Sequence, residues 1–199
     1  MTLKRLAIHF VGVTMFLAIF AQGAECAVIS GIVKYMGAPI SADITVVAYT
    51  GNPCESPQEA GRSTISSTGR YSMVVPPRSG DTSSYTYYLQ AINGNASAFL
   101  DEWWTSTGGS TECAGAEGVV VSSPTSAKTV DFQLDKGATI SGKVYQSDGT
   151  TSITSASNIV NIRIGAYSGL PCSTETRIRY ADIDIRNSTY SIKGLPAGP

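Results

Sequence analysis

From residue 28 onward, apolar residues recur at every second position in short runs broken by glycine, proline, asparagine and serine. In Asp43–Thr50, Ile44, Val46 and Ala48 share one face while Thr45, Val47 and Tyr49 share the other. That is the period of a half-buried strand. The same reading predicts strands at Val28–Tyr35, Arg62–Ser67, Arg70–Val75, Ser84–Ile92, Val119–Ser122 and Lys128–Leu134, the last with Val130, Phe132 and Leu134 inward. Gly37-Ala38-Pro39 and Asn93-Gly94-Asn95 read as turns, and Pro76-Pro77 ends a strand. Ser67-Thr68-Gly69 predicts a hairpin joining Arg62–Ser67 to Arg70–Val75. Short strands at this spacing predict an antiparallel β-sandwich.

The pattern then begins again. Ile29-Ser30-Gly31-Ile32-Val33 returns as Ile140-Ser141-Gly142-Lys143-Val144, and Val47-Ala48-Tyr49-Thr50 returns as Gly165-Ala166-Tyr167-Ser168. Thr68-Gly69-Arg70-Tyr71-Ser72 has a counterpart in Asn187-Ser188-Thr189-Tyr190-Ser191, whereas residues 84–134 have none. Internal periodicity marks a modular array. The expected fold is all-β, with tandem Greek-key-like antiparallel sandwiches at 24–136 (complete) and 137–199 (truncated). Asp135-Lys136-Gly137-Ala138 is too short a linker for independent tumbling. Ile162, Ile164, Ile178 and Ile192 should form an apolar face that no second sheet covers. Three expectations follow for 137–199: it belongs to a longer product, another chain completes it by self-association, or it is disordered.

The first residues carry a different signal. Lys4 and Arg5 precede an apolar run from Leu6 to Phe20, and Ala21-Gln22-Gly23 supplies small residues for cleavage before Ala24. This is the order of a secretory signal peptide, expected here as a helix over 1–23. The run is shorter than the ~20 residues that span a bilayer. A soluble protein is expected after cleavage, with no membrane attachment, in the secreted fraction or the cell envelope (extracellular or periplasmic) of a bacterium.

Loss of Lys4 and Arg5 with that leader moves the net charge from −1 to about −3. No basic block remains for nucleic acid. The single histidine, His9, also departs, and with it the proton carrier of Ser-His-Asp and Cys-His systems and of histidine zinc sites. Asp101 and Glu102 are the only adjacent acidic pair, and neighbours on a strand diverge, so they cannot flank one glycosidic bond. No enzyme activity, cofactor or metal is expected. Asp43, Asp101, Asp131, Asp135 and Asp148 form no calcium loop. Lys34 and Asp131 should both point outward, which disfavours a lysine isopeptide crosslink.

The motif Ile-Ser-Gly-x-Val, an alternating strand ending in Ala-Tyr, and Ser188-Thr189-Tyr190-Ser191-Ile192-Lys193-Gly194-Leu195-Pro196-Ala197-Gly198 together resemble the carboxypeptidase regulatory-like domain family. Asp101-Glu102-Trp103-Trp104 resembles the aromatic segment of its tandem bacterial versions. The resemblance spans about 170 residues. It implies a transthyretin-like or starch-binding-like sandwich, a structural or adhesive role, and no peptidase activity. Val75-Pro76-Pro77-Arg78 departs from Leu-Pro-Ala-Gly, and Ser152–Asn158 is an expanded loop.

Tyr85, Tyr87, Tyr88, Phe99, Trp103 and Trp104 concentrate aromatic rings. Exposed Trp103 or Trp104 could stack on sugars, with Asp101 and Glu102 accepting hydroxyl hydrogen bonds, as in a carbohydrate-binding module. The competing expectation is one tryptophan inward and one covering a sheet edge. A third is an accessory domain of a larger secreted enzyme. Candidate partners are glycans or other surface proteins. The sequons Asn95-Ala96-Ser97 and Asn187-Ser188-Thr189 read as chance in a bacterial array. Cys54 and Cys113 belong to one complete module and are expected to pair, with Cys172 the counterpart of Cys54 and Cys26 left over. Cys26–Cys54 and Cys26–Cys113 stay open alternatives.

Overall fold

The structure is a computed structural model describing residues 26–76, 84–94, 97–122, 126–153, 162–168 and 176–197. The expected leader at 1–23, Cys172, most of the Ser152–Asn158 loop and part of the Asn95 sequon lie outside the described residues. In chain order the strands are β1 (Ala27–Tyr35), β2 (Ala38–Pro39), β3 (Ile44–Thr50), β4 (Gln58–Thr64), β5 (Arg70–Val75) and β6 (Tyr85–Asn93). Then come β7 (Glu102–Thr105), β8 (Gly108–Ser110), a 3-10 turn at Cys113–Gly115, β9 (Val119–Val121), β10 (Ala127–Thr129) and β11 (Phe132–Gln133). β12 (Ala138–Lys143), β13 (Arg163–Ser168), β14 (Thr176–Asp182) and β15 (Thr189–Leu195) follow. The fold is all-β and sandwich-like.

Two sheets pack face to face over residues 26–136. One is centred on β1, with β5 and β2 antiparallel to it. The other runs β4-β3-β6-β7-β8, with β9 also on β6. Alternation delivers Ile29, Val33, Tyr71 and Met73 from the first sheet, and Ile44, Val46, Tyr87 and Leu89 from the second, into one core. Val130, Phe132 and Leu134 close its side, inward as the alternation required. Each such fully buried side chain contributes roughly 1.5–3 kcal/mol.

Three sequence expectations are corrected here. β4 and β5 do not form a hairpin: β4 pairs with β3 (Val47↔Arg62) and β5 pairs with β1 (Ile29↔Met73), so the intervening turn carries the chain from one sheet to the other. Gly69 makes this corner at φ 73°, where a Cβ would lie 2.8 Å from the Val33 carbonyl oxygen. Alternation alone cannot tell a hairpin from a crossing, because both bury every second residue. The sheet around β1 is also mixed rather than antiparallel, since β10 and β11 run parallel to β1. The ladder breaks between them at Val130 and Asp131, where the Val130 carbonyl oxygen accepts the Tyr71 hydroxyl and Asp131 Oδ1 accepts the Ile32 N–H; a Cβ at Gly31 would sit 1.8 Å from that carbonyl oxygen. Finally, Val47 is buried although it faces away from the core, because Trp103 is buried on that same outer side.

β12–β15 carry the second occurrence of the pattern. β12 pairs with β15 through Ile140↔Ile192, Ser141↔Ser191 and Gly142↔Tyr190. β1 pairs with β5 through Ile29↔Met73, Ser30↔Ser72 and Gly31↔Tyr71, the same register. β13 and β14 bulge between Ala166 and Tyr167, as β3 and β4 do between Ala48 and Tyr49. Among the described residues each pair stands as a two-stranded sheet. Ile192, expected on an uncovered face, is instead buried with Leu195 and Ile153, while Ile140 is 50% and Tyr167 54% exposed.

Candidate functional site

The expected ligand-facing residues sit where β6 ends and β7 begins. Asn93 closes β6 as a buried residue rather than opening an exposed turn. Its Nδ2 donates to the Ser97 and Phe99 carbonyl oxygens at 2.9 and 2.6 Å, and its Oδ1 accepts from Ser97 Oγ at 2.6 Å. Asp101 Oδ1 accepts the Asn93 N–H at 2.7 Å, which ties the two ends of the loop together.

That same Asp101 oxygen accepts from Arg179 Nη2 of β14 at 2.6 Å. Arg179 is 6% exposed and also donates from Nε to the Gly194 carbonyl oxygen (3.0 Å) and from Nη1 to the Asn93 carbonyl oxygen (3.2 Å). Asp101 is therefore engaged within the protein. Nothing in the alternation around Arg179 announced this. The available signal was positional: Arg179 stands opposite Ala166 where Gly61 stands opposite Ala48, a long charged side chain in place of none.

Glu102 is 2% exposed and has no cationic partner among the described residues; its Oε2 accepts the Asp135 N–H at 3.2 Å. Burial pushes its carboxyl up to about 7, with the Asp135 N–H opposing and the Asp135 charge adding to the rise. Gly109 leaves the room it occupies, since a Cβ there would lie 2.4 Å from Glu102 Oε2. A carboxyl so enclosed cannot reach a sugar hydroxyl in solvent.

The tryptophans diverge, as adjacent strand positions must. Trp103 is 7% exposed with its ring centroid 5.5 Å from that of Tyr49. Trp104 is half-buried against the core, and its Nε1 donates to the Asp131 carbonyl oxygen at 3.0 Å. No open two-ring platform results. Trp104 does border a groove of about 260 Å³ with Lys34, Asp131 and Gln133. A larger groove of about 600 Å³ is lined by hydroxyls of Ser30, Ser63, Ser72 and Thr129, with Arg70 and Asp131.

Lys34 and Asp131 face outward as expected and meet there at 2.6 Å, with 30% and 41% of their side chains exposed. The hydrogen bond from Lys34 holds the Asp131 carboxyl below the usual range. Asp148 instead caps its own turn, accepting the N–H groups of Thr150 and Thr151 at 2.9 and 2.8 Å. Among the described residues no group of three or more His, Cys, Asp or Glu could hold a metal ion. Nor does any helix among them have the length and apolarity to cross a membrane.

Cys54 and Cys113 form a disulfide, linking the β3–β4 loop to the 3-10 turn after β8. Cys26 carries a free thiol, which removes both alternative pairings.

No family model and no curated protein matches this chain. Among solved structures it is similar to the Bacillus anthracis TIE protein, at 12% identity and TM-score 0.37, over 87% of this chain and 27% of that one. It is also similar to (S)-allantoin synthase (12% identity, TM-score 0.31, 57% of this chain and 44% of that one). A leucine-rich repeat protein from Bacteroides thetaiotaomicron is similar at 14% identity and TM-score 0.33, over 87% of this chain and 21% of that one. The chain spans less than half the length of each. Likenesses this loose carry no argument about function.

Proposed function

We propose that this chain is an exported, non-enzymatic protein of the carboxypeptidase regulatory-like kind, whose tandem sandwich modules at 24–136 and 137–199 act as a structural or adhesive spacer at the cell surface or in the secreted fraction. The observation that carries this reading is the shared register of β1/β5 with β12/β15, together with the buried contact that joins the two regions. Units joined that way hold a distance and a direction, which is what a spacer does. The Cys54–Cys113 bridge supports export, because disulfides persist in oxidising compartments. The loss of the sole histidine with the leader supports a non-catalytic role. The test is expression of the full chain in a bacterial host, followed by fractionation and sequencing of the N-terminus. The expected product begins at Ala24 and lies outside the cytoplasm with Cys54 bridged to Cys113. A cytoplasmic, uncleaved and reduced protein would overturn the proposal.

The second reading is carbohydrate binding, favoured by one observation: the groove that places the Trp104 ring beside Lys34, Asp131 and Gln133. Glycan-array binding that disappears in Trp104→Ala but survives in Trp103→Phe would establish it. An array without hits removes it.

A further inference from the structure

We infer that Arg179 and Gly194 form a plug, that Asn93, Phe99 and Asp101 form its socket on the preceding sandwich, and that this joint fixes both the angle and the order of the two regions. The inference deepens the spacer reading, resting on the same joint, and stands whether or not the protein is exported.

The socket consists of oxygens. The Asn93 carbonyl and Asp101 Oδ1 both face the Arg179 guanidinium, and the Phe99 carbonyl faces Gly194. The internal bonds of the 93–101 loop aim these oxygens before any partner arrives. Asp101 Oδ1 is held by the Asn93 N–H, and the Phe99 carbonyl is held by Asn93 Nδ2. A guanidinium fits such a set because it is planar, permanently charged and carries several donors in a fixed fork. A lysine ammonium is a single point of donation and lacks the fork that reaches the Gly194, Asn93 and Asp101 oxygens from three different nitrogens.

The plug needs more than the cation. Gly194 lies at φ 66°, where a Cβ would be 2.3 Å from the Phe99 carbonyl oxygen. Gly137 in the linker is equally constrained, with a Cβ position 2.5 Å from the Leu195 carbonyl oxygen and 2.6 Å from Leu100 Cδ2. Backbone therefore meets backbone across the joint. A loose tether would not require two glycines at the points of contact. Gly137 N–H also donates to the Ala98 carbonyl oxygen at 2.8 Å, and Leu100 N–H to the Asp135 carbonyl oxygen at 3.0 Å.

The direction comes from comparing the two strand pairs. Register places Gly61 where the C-terminal region has Arg179, opposite Ala48 and Ala166 respectively. Beyond Met73 and Ile192 the two pairings part: β12 and β15 shift register between Ala138 and Ile140, so Leu195 faces Ala138 where Val75 faces Ala27, and the extra residue at Lys193-Gly194 has no counterpart in β5. At Gly61 a Cβ would lie 2.8 Å from the Val74 carbonyl oxygen, so no side chain fits there without rearrangement. The N-terminal sandwich thus owns a socket and lacks a plug. It can accept a following unit and cannot seat itself on another copy's socket by this joint.

Nuclear magnetic resonance on the full chain tests this. In the native protein, the Arg179 Nε–H should give a resonance protected from solvent exchange. Residual dipolar couplings of β1 and β5 amides should fit one alignment tensor with those of β12 and β15. In Arg179→Leu and in Asp101→Ala the residual dipolar couplings of the two regions should cease to fit one alignment tensor and the radius of gyration should rise in solution scattering, while the N-terminal amide dispersion and the disulfide persist. Should Arg179→Leu melt β12–β15, Asp101→Ala decides, because it lies on the sandwich side of the joint. The inference fails if native couplings already require two alignment tensors, or if those of the deciding variant still fit one.

Discussion

Ile29 and Ile140 hold the same place in the same strand pairing, yet Ile29 is 0% exposed and Ile140 50%. Register is local: it follows from the alternation of two strands and the turn or loop that returns one to the other. Burial is not local. Ile29 is covered because β10 lies beside β1, and β6 and β9 bring Tyr87, Leu89, Val119 and Val121 across from the facing sheet. Around Ile140, among the described residues, β12 has β15 alone as a sheet neighbour. One local design is thus complete in one region and half covered in the other.

The sharpest way to break this comparison is the same substitution at both places. Ile29→Ala removes a fully enclosed side chain and should cost about 2–5 kcal/mol, measured by urea unfolding of the N-terminal sandwich. Ile140→Ala should cost less than about 1 kcal/mol, since half its surface already meets water. Equal costs would mean that β12 is covered as fully as β1.

The next effect is the disulfide. Cys54 and Cys113 are 59 residues apart, and closing a loop of that length limits the unfolded chain. The double variant Cys54→Ser/Cys113→Ser should lose about 2–4 kcal/mol in the N-terminal transition. Hydrogen exchange of β12 and β15 amides should stay unchanged, because the bridge touches neither strand. Equal loss of protection in both regions would show that they unfold as one unit.

A smaller, pH-dependent effect belongs to Glu102. Its carboxyl titrates at about 7 in the fold, against a reference of 4.5. Below pH 4.5 the group is protonated whether folded or unfolded, and its burial carries no charge penalty. Between pH 4.5 and about 7 the unfolded chain ionises while the folded protein keeps the proton, so stability falls across that window and levels off above it. The penalty above pH 7 is on the order of 3 kcal/mol at most. Glu102→Gln should flatten that fall, with the variant gaining on the native protein as pH increases. A native-minus-variant difference independent of pH would place the Glu102 carboxyl in solvent.

Much of this was legible in advance. The strands at Val28–Tyr35, Asp43–Thr50 and Ser84–Ile92 followed from alternation, and Val130, Phe132 and Leu134 point inward as it required. The Cys54–Cys113 pairing followed from both residues belonging to one unit. The crossing between β4 and β5, and the parallel run of β10 and β11 beside β1, did not. Period-two patterning specifies which face is buried and leaves the neighbour and its direction open. The Asp101-Glu102-Trp103-Trp104 cluster was ambiguous for a related reason. Aromatic and acidic residues suit a binding surface and a crowded junction equally, and only their neighbours distinguish the two.

The sequence by itself determined the local geometry of this protein: strand positions, inward faces, turn glycines and two occurrences of one pairing pattern. These are set within a few residues, by chain chirality, the strand period and the conformational freedom of glycine. Only the tertiary structure decided which strands lie side by side, which isoleucine is covered, and that Asp101 meets Arg179. Those outcomes rest on contacts between distant segments, such as Asn93 with Arg179, 86 residues apart, and Ile32 with Asp131, 99 apart. Their energy exists only once distant surfaces have excluded water together.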